Sequence, residues 1–183
     1  DMKPLDKVSD ADVWEDSALI ELYVNASYNS INHEFSQHML SDASDETYCI
    51  HNWANFWVIQ KGEMTSDNVT GISEKINYWK SAYSNIRTIN VFFDRIDDAP
   101  VETDLKNRMK GEMKFIRAWI YANLIWRYGD VPLITDLFEL NQDYKVKRDS
   151  YSDCVDFITK ELDDAMTWLP AKSSSETLGR ATG

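Results

Sequence analysis

Two tryptophans and two amides fall within six consecutive residues, Asn52-Trp53-Ala54-Asn55-Phe56-Trp57. A flat aromatic ring offers an apolar face that can lie against the C–H side of a sugar ring. A carboxamide can both donate hydrogen bonds to sugar hydroxyls and accept them. Asn52, Trp53, Asn55 and Trp57 are therefore candidate ligand-binding residues, and the chemistry they suit is non-covalent capture of a saccharide. The spacing has a structural reading as well. Trp53 and Trp57, four residues apart, would share one face of a short helix and could both be core. Spacing alone leaves the two readings open.

No pattern of a catalytic centre accompanies these residues. The chain has no GxSxG, HExxH, Walker-type or GxGxxG stretch. Its paired carboxylates, Asp97-Asp98 and Asp163-Asp164, are adjacent in sequence, so on a helix they diverge and read as solvated surface. Asp42, Asp45 and Glu46 could offer oxygen ligands to calcium, but they lack the glycine and spacing of a calcium loop, and a capped or solvated turn is the expected role. His33, His38 and His51 have no partner at helical metal-ligand spacing and are read as ordinary polar residues. Cys49 and Cys154 stand in no CxxC or Cys/His group; two free thiols are the expectation, with one disulfide as the alternative. No cofactor, no metal and no enzymatic activity are expected.

A formal net charge of −12 argues against a nucleic-acid partner and against docking on an anionic leaflet. No apolar run is long enough to span a bilayer. The opening DMKPLDKVSD does not have the pattern of a signal peptide, so any targeting segment is expected to have been removed or never to have existed. Aromatic residues make up 13% of the chain, far from the composition of a disordered polymer.

The elements that must position the candidate residues are helices. Leu105, Met109, Met113, Ile116, Ile120 and Leu124 recur at steps of three and four, with Phe115, Trp119, Ala122 and Trp126 in a row beside them. Two adjacent rows predict a helix over 105–128 buried between at least two others, stopped by Gly129 and Pro132. Arg117 on this helix should have an acidic partner, with Glu112, Glu161 and Asp163 as candidates. A helix over 72–96 precedes it, and a first helix is read over 17–32, with Leu19, Leu22, Tyr23 and Ala26 on one face and Ile20, Val24 and Ile31 alongside, both rows implying burial. A last helix capped by Ser150 and Asp153 should bury Val155, Ile158, Leu162, Ala165 and Leu169 and end at Pro170. The stretch 33–71 is irregular but rich in rings, as functional loops are. Strand alternation is missing throughout. The expected fold class is all-α: stacked antiparallel helix pairs, a tetratricopeptide-like scaffold with long loops, since helices 72–96 and 105–128 start about 33 residues apart.

The central helix also carries a resemblance. Gly111-Glu112, Lys114-Phe115-Ile116-Arg117-Ala118 and Tyr128-Gly129-Asp130-Val131-Pro132-Leu133 resemble the helix-and-turn signature of the SusD/RagB family, the starch-utilisation-system D-type lipoproteins of Bacteroidetes outer membranes. Met113 departs from it, standing where the family has a small residue that lets a neighbouring backbone come close. Leu5-Asp6 with Trp14, the run 40–48, the set Trp79, Tyr83, Ile86 and Asn90, and the last helix through Leu169-Pro170 are similar to further family segments in the same order.

The resemblance implies a helical-repeat scaffold with ligand loops laid across it, and 1–183 as the N-terminal helical portion of a SusD-like domain. In the family the run Gly179-Arg180-Ala181-Thr182 opens a further long helix, so the C-terminal portion of the fold is expected to lie outside this chain. It further implies a lipid-anchored protein on the cell surface that binds an oligo- or polysaccharide and passes it to a TonB-dependent transporter partner. Ligand residues vary within the family, so it assigns no role to Asn52, Trp53, Asn55 or Trp57. A helical-repeat scaffold for protein partners is the alternative.

Overall fold

The computed structural model describes residues 10–31, 40–51, 55–69, 77–138, 145–172 and 178–183. Among the described residues six α-helices follow one another: α1 (Asp10–Glu15), α2 (Ser17–Ser27), α3 (Trp57–Gln60), α4 (Trp79–Arg95), α5 (Thr103–Tyr128) and α6 (Tyr151–Trp168). The described residues form no strand, only an isolated bridge between Val131 and Asp149. The all-α expectation holds. The chain divides into two compact units, one of residues 1–31 with 84–183 and one of residues 32–83.

In the larger unit α5 is the centre. Its 26 residues run about 39 Å at about 1.5 Å each, and Met109, Met113, Ile116, Ile120 and Leu124 are all fully buried. The predicted stop is present: Gly129 has φ +67, a backbone region that favours glycine, and its N–H closes the last turn on the Ile125 carbonyl. The predicted second row is not core. Trp119 and Trp126 are 39% and 68% exposed, and the buried second row lies on the other side of the first, through Ala118, Tyr121 and Ile125. That side is where α6 packs, with the Tyr121 and Phe157 rings edge to face at 5.2 Å.

Helix α6 begins as predicted, with Ser150 Oγ accepting from Asp153 N–H at 3.2 Å, and it buries Ala165 and Leu169 as expected, but the rest of its buried face differs. Cys154, Glu161, Ala165 and Leu169 are turned inward, while Val155 and Leu162 are 38% and 37% exposed. The cause is charge. Glu161 accepts from Arg117 Nε at 2.7 Å and from Lys114 Nζ at 2.8 Å, and an acid with two cations to meet goes to the interface. Arg117 thus has the acidic partner its sequence position required. Its guanidinium also donates to Asn90 Oδ1 at 3.0 Å and lies 4.6 Å from the Phe93 ring centroid.

Close approach of α6 to α5 occurs at Gly111, where an added Cβ would stand 3.0 Å from Leu169 Cγ and 3.3 Å from the Ala165 carbonyl oxygen. The small residue that matters for packing is therefore Gly111, and Met113 is accommodated as a fully buried core residue.

Helix α2 is shorter than read and ends in a 3₁₀ turn, Tyr28–Ser30. It buries Ile20 and Val24, whereas Leu22 faces out. The segment 178–183 is clasped to α2 and α5. Arg180 Nη1 donates to Glu112 Oε2 at 2.8 Å, Nη2 reaches Asn25 Oδ1, and Ala181 N–H donates to the Tyr28 hydroxyl at 3.0 Å. Burial raises the Glu112 carboxyl above its usual range, against the pull of Arg180 and Arg108. Burial likewise pushes the Tyr28 hydroxyl up to about 12. Both cysteines are free thiols, and burial raises Cys154.

Candidate functional site

The smaller unit holds the irregular stretch that contains the candidate residues. Its scaffold is a loop, 40–51, tied to the short helix α3 by side chains that bond to backbone. Asp42 is buried and its Oδ1 accepts from Thr47 Oγ1 at 2.8 Å. Gln60, the last residue of α3, donates from Nε2 to the Asp42 carbonyl at 2.9 Å and to the Thr47 carbonyl at 3.3 Å. Ser44 Oγ donates to the Ser41 carbonyl at 2.8 Å and accepts from Glu46 N–H at 3.2 Å, which rounds the turn. Phe56 is fully buried and Val58 nearly so, anchoring α3 from beneath. These bonds hold open a groove of about 670 Å³ lined by 43–48, Ile59 and Gln60.

The groove has a mixed lining. Tyr48 is 67% exposed, an aromatic surface available to a ligand. Ser44, Thr47 and Gln60 add hydroxyl and amide groups, and Asp45 and Glu46 add two exposed carboxylates. Gln60 Oε1 is a buried acceptor with no hydrogen-bond partner. An amphipathic ring beside hydroxyl-matching donors and acceptors is suited to holding a saccharide without reacting with it. No group of three or more metal-ligating side chains occurs among the described residues, and Asp42, which sequence placed with Asp45 and Glu46, instead caps its own loop.

Of the four sequence candidates, Asn52 and Trp53 lie outside the described residues. Asn55 is half-buried with φ +55, the left-handed region that asparagine tolerates better than other non-glycine residues. Asn55 itself is therefore not helical, and α3 starts only at Trp57. Trp57 is half-buried, with the Lys61 ammonium 4.8 Å from its ring centroid. Sequence reasoning missed Gln60. It closes the only apolar run of α3, and nothing in its neighbours signals that its amide reaches back 18 residues to Asp42.

Two smaller clefts lie in the larger unit. One, of about 230 Å³ beside Tyr23 and Thr88, is spanned by the Tyr23 hydroxyl, which donates to the Thr88 carbonyl at 2.8 Å. The other, of about 470 Å³, lies at the start of α5 and the end of α6 beside Asn107 and Trp168.

A family model described as starch-binding and associating with the outer membrane matches residues 1–183. The chain belongs to the SusD-like family. A SusD-like protein of Formosa agariphila is 26% identical over 105 residues, which are 57% of this chain and 20% of that protein. Among solved structures, a SusD-like protein of Bacteroides fragilis is 29% identical with a TM-score of 0.83, over 99% of this chain and 35% of that one. A SusD-like carbohydrate-binding protein from the same species (24%, TM-score 0.75, 93% of this chain and 35% of that one) shares the fold. So does a laminarin-binding SusD-like protein (23%, TM-score 0.73, 91% and 36%). The chain thus spans about a third of the length of these structures. The SusD-like family is one of helical, carbohydrate-binding proteins associated with the outer membrane.

Proposed function

We propose that this SusD-like protein captures a glycan at the bacterial cell surface, without catalysis, and hands it to a TonB-dependent transporter. Lipid anchoring and the position of 1–183 as the N-terminal helical portion of a longer SusD-like domain belong to the same reading. The observation that carries it is the groove at 43–48, lined by a ring, hydroxyls and an amide, in a chain that belongs to a carbohydrate-binding family along its whole length. Tyr48 and Gln60 join Asn52, Trp53, Asn55 and Trp57 as the proposed ligand residues. Capture and release need no nucleophile or base.

Affinity electrophoresis of the protein in gels containing single polysaccharides tests the proposal, with tryptophan fluorescence as a second readout. At least one polysaccharide should retard the protein, and Tyr48→Ala, which removes the ring of the groove, should abolish retardation with the circular dichroism unchanged; Trp57→Ala, outside the groove lining, tests the second tryptophan in the same way. Loss of helicity in that variant would make Trp57 a core residue. Retardation by no polysaccharide would sink the glycan reading.

A further inference from the structure

We infer that the glycan held by this groove is uncharged, and that the groove turns polyanionic polysaccharides away. The inference rests on the saccharide-binding reading above and adds its chemical class. Asp45 and Glu46 both line the groove and both are exposed, so a ligand meets two carboxylates at its rim. No described lysine or arginine forms an ion pair with either. The surrounding sequence offers no correction: residues 32–83 contain seven carboxylates, three lysines and no arginine. Of those lysines, Lys61 sits over the Trp57 ring. A uronate or a sulfate ester needs a cation or a bidentate guanidinium to replace its hydration. Here it would meet charge of its own sign. A neutral sugar finds instead the phenol of Tyr48 and the hydroxyls of Ser44 and Thr47.

The charges are solvent-exposed, so the discrimination is electrostatically soft and salt-dependent. Two carboxylates several ångströms from one ligand charge weaken binding on the order of ten-fold at low ionic strength, and most of that is lost near 1 M salt, where the screening length is about 3 Å.

The test is affinity electrophoresis of the protein with two neutral polysaccharides, laminarin and soluble starch, and two acidic ones, alginate and carrageenan, each at low and high salt. The expected result is retardation by a neutral polysaccharide with little salt dependence. Acidic gels should give none at low salt, and the double variant Asp45→Asn/Glu46→Gln should gain retardation there while keeping its neutral ligand. Retardation by alginate or carrageenan at low salt, equal to or above that by the neutral gels, would overturn the inference and leave glycan binding intact. Retardation by none of the four overturns both. An unchanged preference in the double variant would show that these two carboxylates do not set it.

Discussion

Removing Arg117 tests the central claim about packing, that a charge cluster and not an apolar seam fixes α6 against α5. Arg117 and Glu161 side chains are 7% and 5% exposed, with Nε and Oε2 2.7 Å apart. Breaking such a buried pair from one side typically costs about 3–5 kcal/mol, because the remaining charge is stranded. Two features adjust the figure. Lys114 Nζ stays 2.8 Å from Glu161 in an Arg117→Met variant, so the carboxylate keeps one cation and the loss falls toward the lower end. Loss of the guanidinium over the Phe93 ring adds about 1 kcal/mol. The expected total is about 3–4 kcal/mol, or a fall in Tm of roughly 6–16 °C for a chain of this size. The double variant Arg117→Met/Glu161→Leu should recover most of that loss, since an apolar pair replaces two desolvated ions and Lys114 retains Asp164 at 2.8 Å. Urea denaturation of wild type, both singles and the double, closed as a thermodynamic cycle, gives the coupling directly. Additive losses, or a single-variant effect under about 1 kcal/mol, would refute the reasoning.

Three further outcomes follow from particular contacts. Gly111→Ala gains about 1 kcal/mol of helix propensity but sets a methyl 3.0 Å from Leu169 Cγ, so a net loss of about 1 kcal/mol is expected, and Leu169→Ala should cancel it; a rise in Tm would refute the contact. Gly129→Ala forces φ +67 on an alanine and should cost about 1 kcal/mol, readable as a fall in the urea midpoint. The Asp164 carboxyl is held down to about 2 by hydrogen bonds from Lys114 and Lys160. A depressed carboxylate adds stability that is complete above its ordinary value of 3.8 and is lost as pH falls through about 2. Asp164→Asn should therefore flatten the drop in urea midpoint between pH 4 and 2, by a small amount because the group is well solvated.

What could be read from the sequence were features that local chemistry decides. The glycine–proline corner after Tyr128, the Ser150 cap and the need of Arg117 for an acid each follow from one residue's own requirements, and the structure contains all three. The faces of α5 and α6 were harder. Periodicity assigned Val155, Ile158 and Leu162 to the core because they are apolar and evenly spaced, yet Glu161 took the interface through partners 44 and 47 residues away. A hydrophobic pattern cannot weigh a charge whose counter-charge sits on another helix. Trp119 and Trp126 misled in the same way, since a broad ring counts as core in any pattern although both stay in contact with solvent. Of the site, the ring-rich loop was legible by composition. The groove was not, because its walls depend on Gln60 and Asp42 bonding to backbone that no period marks.

The clasp at Arg180 has a consequence for how the polypeptide comes into being. Asn25 and Glu21 emerge during synthesis well before the guanidinium that reaches both, which lies 155 and 159 residues downstream. Tyr28 waits likewise for the amide of Ala181, 153 residues later. This part of the polar attachment of α2 is therefore a late, long-range closure, whereas the Tyr23 bond to Thr88 and the Arg108 pair with Glu21 span shorter loops.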